Sequence, residues 1–228
     1  SALPDALNLS ARDTILPVVP MFHVNAWGLP YAACMVGARL VLPGPALDGR
    51  SLHGLLESEG VTLSAGVPTV WQGLLAHVQA HKLGFSTMRR TIVGGSACPP
   101  AMMDAFEDAH GVQVLHAWGM TELSPLGTVC VPKTASTPHN REQQRALQAK
   151  QGRAVFGIDM KIVDDQGHAL PWDGQSAGEL LVRGPWVADR YLHAESSPLV
   201  HDEAGHGWFP TGDVATVDAD GFMHITDR

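Results

Sequence analysis

One stretch of this sequence brings together residue types that favour ligand chemistry over packing. A tryptophan, a glycine, a hydroxyl and a carboxylate follow an apolar segment in the run His116-Ala117-Trp118-Gly119-Met120-Thr121-Glu122. Thr121 could donate a hydrogen bond to a phosphate, Glu122 could bind a magnesium ion through oxygen, and Trp118 offers a flat face to a base. A polar loop beside a core tryptophan explains the run equally well, so we keep both interpretations open.

A second stretch, Gly94-Gly95-Ser96-Ala97, is a glycine-rich turn that leaves a predicted strand and enters a predicted helix. Because glycines have no side chain, they let a ligand approach the backbone closely. Taken alone, the turn favours a structural interpretation, because tight strand-to-helix connections use Gly and Ser for geometric reasons.

Two further stretches carry isolated chemical groups. Asp213, in Thr211-Gly212-Asp213, could accept hydrogen bonds from two ribose hydroxyls, although an Asp that completes a turn is the commoner outcome. In the run Met21–Gly28, His23 could assist a negatively charged substrate and Trp27 could line an apolar tunnel at the start of a predicted helix. A core histidine and a core tryptophan are the alternatives.

The order of strand and helix patterns around these groups predicts an α/β fold. In this fold a mostly parallel sheet flanked by helices is followed by a small antiparallel β-barrel-like subdomain. Before residue 131, β-branched runs alternate with helical patterns, which is typical of a parallel sheet. After Gly152, short strands are separated by Asp, Gly and Pro, which indicates an antiparallel sheet or barrel. The predicted strands are Thr14–Val19, Arg39–Leu42, Val61–Val67, Thr91–Val93, Val112–His116, Asp159–Val163, Glu179–Val182, Ala215–Val217 and Phe222–Ile225. The predicted helices are Pro68–Lys82, Pro99–His110 and Asn140–Lys150.

Composition narrows the classes of function. With 15 Lys+Arg against 23 Asp+Glu, the net charge of -8 argues against nucleic acid as a partner. The three cysteines have neither disulfide-framework nor zinc-site spacing, which favours a reducing, cytoplasmic setting. We expect no transmembrane segment, because no apolar stretch reaches the roughly 18 residues that a membrane span needs.

The order of the four stretches resembles that of the adenylate-forming acyl-CoA synthetases, also called AMP-binding enzymes, over essentially the whole chain. Met21-Phe22-His23 is similar to the acyl-gate motif of the family, Gly94–Ala97 to its adenine-side turn, and Trp118–Glu122 to its Tyr/Trp-Gly-Met-Thr-Glu motif. The run Pro20–Trp27, together with Ala117–Pro125, most resembles bacterial medium- to long-chain fatty-acyl and methylthio-acyl CoA ligases. The resemblance departs at Trp118, where many relatives have tyrosine.

The resemblance implies roles for individual residues. It assigns catalytic roles to His23, Thr121 and Glu122, with Glu122 as the magnesium ligand. It implies substrate contacts for His23, Trp27, Gly94 and Gly95. The implied nucleotide-binding residues are Gly95, Ser96, Ala97, His116, Ala117, Trp118, Gly119, Asp213 and Arg228.

The function implied by the resemblance is ATP-dependent activation of a fatty acid through acyl-AMP to acyl-CoA. ATP/AMP, Mg²⁺ and coenzyme A are then the expected cofactors and co-substrates, small molecules are the partners, and the oligomeric state stays open. We expect residues 1–131 to form the α/β part of the AMP-binding domain, 132–151 a connector with a short helix, 152–226 the small β subdomain, and 227–228 the start of a hinge. We also expect this chain to be a central fragment that lacks the phosphate-binding loop and the C-terminal domain, and that is inactive alone.

Two alternatives remain at this stage. The chain could serve as a non-catalytic nucleotide- or acyl-binding module. It could equally belong to a ligase for aryl or short-chain acids, because the residues that line a tunnel do not exclude those substrates.

Overall fold

The computed structural model describes residues 2–132, 138 and 140–227. The described chain divides into two compact units, Ser1–Trp118 and Gly119–Arg228, and each is described by itself. The predicted fold class is confirmed: parallel strands flanked by helices are followed by antiparallel strands.

The first unit is built on a parallel sheet with the strand order β2-β1-β3-β4-β5. Its strands are β1 (Thr14–Pro17), β2 (Arg39–Leu40), β3 (Leu63–Gly66), β4 (Arg90–Val93) and β5 (Gln113–Gly119). Its helical elements are α1 (Leu3–Ala6), α2 (Val24–Trp27), α3 (Leu29–Val36), α4 (Gly49–Ser58), α5 (Pro68–Ala80) and α6 (Pro100–His110). All five strands that the sequence predicts before residue 131 are present.

The core of this unit lies where helices α4, α5 and α6 pack with the central strands. Trp71 of α5 and Phe106 of α6 are fully buried and meet edge to face, with ring centroids 6.1 Å apart. Trp71 Nε1 donates to the carbonyl oxygen of Ile92 in β4, so its polar atom is satisfied inside the core. This packing fixes the carboxyl end of β4, from which the glycine turn leaves.

Arg90, at the start of β4, joins the sheet to the N-terminal segment. Its guanidinium donates to Asp13 Oδ1 at 2.5 Å and to the carbonyl oxygens of Leu7 and Asn8. The Asp13 side chain is 8% exposed and that of Arg90 14% exposed, so the ion pair is largely shielded from water. Such a pair holds the segment before β1 in place because breaking it would leave a buried charge unpaired.

The second unit is mainly antiparallel. Strand β6 (Leu126–Val129) pairs with β7 (Arg153–Ala154), and a larger sheet has the order β10-β11-β9-β8, with β12 on β11. Its strands are β8 (Asp159–Val163), β9 (Gly178–Arg183), β10 (Val200–His201), β11 (Gly207–Val217) and β12 (Met223–Asp227). The short 3-10 helix η1 (Thr121–Leu123) and helix α7 (Arg141–Gln148) complete it.

The predicted strand Ala215–Val217 is too short, because β11 begins at Gly207. The register of β11 against β9 shifts between Pro210 and Val214, and this irregularity interrupts the regular alternation by which a strand is recognised in a sequence. A turn follows β11, in which Asp218 Oδ1 accepts hydrogen bonds from the backbone N–H groups of Asp220 and Phe222.

Candidate functional site

The glycine turn and Trp27 form one packed group in the first unit. A side chain on Gly94 would begin 3.2 Å from Trp27 Cη2 and 3.1 Å from the carbonyl oxygen of Ala117. Gly95 has a φ of +79°, which favours glycine, and its own Cβ position is 3.8 Å from Trp27 Cζ2. The structure therefore brings together Trp27, Gly94 and Gly95, for which the family resemblance implies substrate contacts.

The turn exposes its backbone after the first glycine. Gly94 is buried, whereas Gly95, Ser96 and Ala97 are exposed. Three exposed residues with small side chains leave room for a ligand against the main chain.

The segment after His23 does not form the helix that the sequence predicts at this position. Residues Val24, Asn25, Ala26 and Trp27 have φ values of 45°, 52°, 50° and 55°, so α2 is a single left-handed turn. The right-handed helix α3 begins only at Leu29, after Gly28. Left-handed φ costs L-residues roughly 1–2 kcal/mol each, and a β-branched residue such as Val24 tolerates it least. Strain of this kind is found where surrounding structure holds a functional segment in place.

His116 is tied to the glycine turn by its ring. The backbone N–H of Cys98 donates to His116 Nε2 at 3.4 Å, and only 2% of His116 is exposed. Because Nε2 accepts this hydrogen bond, it carries no proton in this arrangement. His116 thus links strand β5 to the residue that follows Ala97.

The two residues after His116 are also buried, with Ala117 8% and Trp118 6% exposed. A base could therefore meet only a small part of the Trp118 ring surface. The core interpretation of Trp118 that the sequence left open matches this burial, and its stacking role stays a prediction.

In the second unit, Thr121 and Glu122 lie in η1 at the surface, where Thr121 is exposed and Glu122 is half-buried. Tyr191 donates from its hydroxyl to Glu122 Oε1 at 2.9 Å, and this bond raises the pKa of Tyr191 above its usual value. Tyr191 could not be predicted from the sequence as a partner of Glu122, because the two residues are 69 positions apart and share no motif. Gly119 precedes this loop: a side chain there would begin 2.1 Å from the carbonyl oxygen of Pro125, so this position requires glycine.

Asp213 lies inside strand β11 and is only 2% exposed. Its backbone N–H donates to Thr211 Oγ1 at 3.2 Å, and the Thr211 hydroxyl donates to the carbonyl oxygen of Leu180 at 2.8 Å. Gly212, between them, has a φ of +75°. Thr211 and Gly212 therefore shape the backbone that carries Asp213, while its contact with ribose stays a prediction. Arg228, the last predicted nucleotide contact, lies outside the described residues.

The described carboxylates fit a magnesium ion that is also coordinated by the phosphates of a nucleotide. Among the described residues there is no group of three or more His, Cys, Asp or Glu side chains that could hold a metal ion by itself. Magnesium is commonly bound by one or two carboxylates together with substrate phosphates and water. A single partly exposed carboxylate such as Glu122 fits that pattern.

Comparison with known proteins identifies the family. The family model described as "AMP-binding enzyme" matches residues 1–192. The chain belongs to this family. The resemblance stated from the sequence is thereby confirmed.

Two named relatives are particularly similar to this chain. The chain is 56% identical over 228 residues to a medium-chain-fatty-acid–CoA ligase from Ectopseudomonas oleovorans, covering all of this chain and 41% of that protein. It is 51% identical over 224 residues to a 3-methylmercaptopropionyl-CoA ligase from Ruegeria pomeroyi, covering 98% of this chain and 41% of that protein. The chain thus spans about two fifths of the length of these relatives.

A solved structure shows the same fold. The crystal structure of a long-chain-fatty-acid-CoA ligase from Archaeoglobus fulgidus superimposes with a TM-score of 0.84 at 26% identity, covering 100% of this chain and 46% of that one. Within the described part of the AMP-binding chain, no helix is long and apolar enough to cross a membrane.

Proposed function

We propose that this chain is part of an enzyme that activates a medium- to long-chain fatty acid. The fatty carboxylate would attack the α-phosphate of ATP and release pyrophosphate, giving acyl-AMP. The thiolate of coenzyme A would then attack the acyl carbonyl and release AMP, giving acyl-CoA. The observation that carries the proposal is the 56% identity, over all 228 residues, to a protein named as a medium-chain-fatty-acid–CoA ligase.

In the first unit, the acyl chain would lie beside Trp27 and the Gly94–Gly95 backbone. The close approach of the Trp27 ring to both glycines supports this assignment, since the ring provides an apolar wall. Each buried methylene would contribute about 0.8 kcal/mol, so the depth of this apolar surface would set chain-length preference. The exposed backbone of Ser96 and Ala97 would face the adenine, and His116 would hold that backbone through Cys98.

In the second unit, Glu122 would hold magnesium, Thr121 would donate to a phosphate, and Asp213 would accept from the ribose hydroxyls. Bound magnesium neutralises charge on phosphate oxygens, and reactions of this type depend on positioning and electrostatic stabilisation rather than on a protein nucleophile. His23 is exposed at the edge of the left-handed turn, where its imidazole could approach the substrate carboxylate.

The proposal is tested by pyrophosphate exchange in the full-length protein encoded by the gene. We expect exchange that depends on ATP, on magnesium and on a fatty acid, with a maximum within the series from hexanoate to palmitate. Asp213→Ala should raise the ATP concentration for half-maximal exchange about tenfold or more, because it removes charge-assisted hydrogen bonds worth roughly 1.5–3 kcal/mol. Asp165→Ala, in an exposed turn, is the matched control. No exchange with any acid would refute the proposal.

A second substrate class is supported by the 51% identity to a 3-methylmercaptopropionyl-CoA ligase. This identity is close to that of the fatty-acid ligase, so 3-methylmercaptopropionate belongs in the same assay. A rate with 3-methylmercaptopropionate above that with every fatty acid would move the substrate assignment to short thioether acids.

A cytoplasmic location stays part of the proposal and can be tested by cell fractionation.

A further inference from the structure

The segment Trp186–Tyr191 is fastened to the loop that carries Glu122 by three hydrogen bonds. The Ala188 N–H donates to the Glu122 carbonyl oxygen at 2.8 Å, and the Tyr191 hydroxyl donates to Glu122 Oε1 at 2.9 Å. The Ser124 hydroxyl donates to the Trp186 carbonyl oxygen at 3.1 Å. Two of the three bonds end on Glu122, one on its main chain and one on its carboxylate.

These two bonds restrict different parts of Glu122, one its backbone and the other its side chain. The bond from Ala188 fixes the backbone of η1, which is a single 3-10 turn with little stability of its own. The bond from Tyr191 selects one orientation of a glutamate side chain, which otherwise has several rotamers to sample. Together they hold the carboxylate at one place relative to the loop.

The other end of the segment is anchored in the β subdomain. A side chain on Gly157 would begin 2.4 Å from Trp186 Cη2, so the indole packs directly on bare backbone. Gly157 has a φ of +92°, which further requires glycine there. Trp186 therefore connects the segment that carries Tyr191 to the backbone at Gly157.

We propose that Tyr191 is a positioning residue that holds the Glu122 carboxylate in the orientation in which it binds the divalent cation of a nucleotide. This inference rests on the proposed function, in which Glu122 ligates that cation. The Tyr191 hydroxyl occupies Oε1 as a donor, and the second carboxylate oxygen remains able to ligate a cation. A carboxylate that is held in advance loses less conformational entropy on binding.

The test uses Mn²⁺ as a paramagnetic probe for the cation and the full-length protein. Mn²⁺ binding in the presence of ATP is followed by electron paramagnetic resonance, and acyl-AMP formation is measured separately across a Mg²⁺ titration. Tyr191→Phe removes only the hydroxyl. Tyr31→Phe, which removes the hydroxyl of the other exposed tyrosine in this chain, is the matched control.

We expect Tyr191→Phe to weaken Mn²⁺ binding three- to tenfold and to raise the half-maximal Mg²⁺ concentration by a similar factor, with recovery of the rate at saturating Mg²⁺. In a Glu122→Gln background the same change should have an effect smaller than twofold, because the group that Tyr191 positions is gone. Equal Mn²⁺ affinity in wild type and Tyr191→Phe would overturn the inference, as would full additivity of the two changes. If the protein binds Mn²⁺ but forms no acyl-AMP from any acid, the proposed function is refuted. The comparison of Mn²⁺ affinity between wild type and Tyr191→Phe would still decide this inference.

Discussion

The backbone N–H of Cys98 donates a hydrogen bond to Nε2 of His116, joining the end of the glycine turn to strand β5 across 18 positions of sequence. The bond is buried, since Cys98 is 5% and His116 2% exposed. His116, which the resemblance assigns to nucleotide binding, therefore has a structural contact in the fold, and its contact with a nucleotide stays a prediction.

We predict that His116→Ala destabilises the protein by about 1–3 kcal/mol and weakens AMP binding, because it removes the acceptor for a buried N–H. His116→Gln offers an amide oxygen and should recover part of both losses. Urea unfolding and calorimetric titration with AMP measure the two effects. If alanine and glutamine lower stability and AMP affinity equally, the hydrogen bond has no part in holding the turn.

For Trp27 we predict a change of substrate preference. Trp27→Ala should shift the relative rates of acyl-AMP formation across the series from hexanoate to palmitate, because the ring packs against Gly94. A matched variant is Trp172→Ala, which truncates a tryptophan that is 42% exposed in the other unit. Stability lost with unchanged relative rates would favour a core role for Trp27, since truncating a core tryptophan costs roughly 3–5 kcal/mol.

The left-handed turn leads to a prediction about strain. Val24→Gly should increase the free energy of unfolding by about 1 kcal/mol, because glycine adopts a φ near 45° without the penalty that valine bears. The control is Ala32→Gly in the right-handed helix α3, which should lower stability by roughly 0.5–1 kcal/mol. Denaturant unfolding of both variants measures the effect, and a destabilised Val24→Gly would show that the strain argument is wrong.

A pH dependence follows from Asp13. Burial opposes its ionisation, but hydrogen bonds from Thr62, Ser10 and Arg90 outweigh burial and hold the pKa of Asp13 below its usual value of 3.8. Because the pKa is lowered in the folded state, the stabilisation is full above pH 3.8 and is lost as pH falls through the folded pKa. Asp13→Asn should therefore lower stability at pH 6 and reduce the stability difference between pH 6 and pH 3. Unfolding curves at both values test this, and an unchanged difference would contradict it.

Thiol reactivity provides a further prediction. Burial raises the pKa of Cys130 to about 12, and its Sγ donates to the carbonyl oxygen of Leu147 at 3.2 Å, whereas Cys34 is exposed. Cys34 should react quickly with a maleimide at pH 7, and Cys130 only after unfolding, since the thiolate is the reactive form. Mass spectrometry of labelled peptides checks the order, and fast labelling of Cys130 would be inconsistent with its burial.

Much of the first unit could be predicted from its sequence. Strands such as Leu63–Gly66 are short apolar runs next to strong helix signals, among them Pro68 in the first turn of α5. The left-handed turn could not be predicted, because its conformation is held against local preference, and Asn25 is the one residue in it that tolerates such a φ readily.

In the candidate site, too, some features could be predicted from the sequence and others could not. The glycine turn and Trp118–Glu122 are contiguous motifs, so their residue types and spacing can be read along the chain. Tyr191 comes near Glu122 through contacts between segments that are distant in the sequence, among them the packing of Trp186 on Gly157, and nothing in the sequence near Tyr191 specifies these contacts. Which motif residues are buried, as Asp213 and Trp118 are, likewise depends on the packed fold.

Strand β1 lies between β2 and β3, although both of these neighbours follow it in the sequence. Ile15 and Leu16 are fully buried in the fold, yet Leu63, the partner of Ile15 in β3, is made 48 positions later. At translation rates of about 5–20 residues per second, the apolar strand would wait roughly 2–10 s for that neighbour. During ribosomal synthesis β1 therefore exposes its apolar side chains for longer than a strand whose partner follows directly.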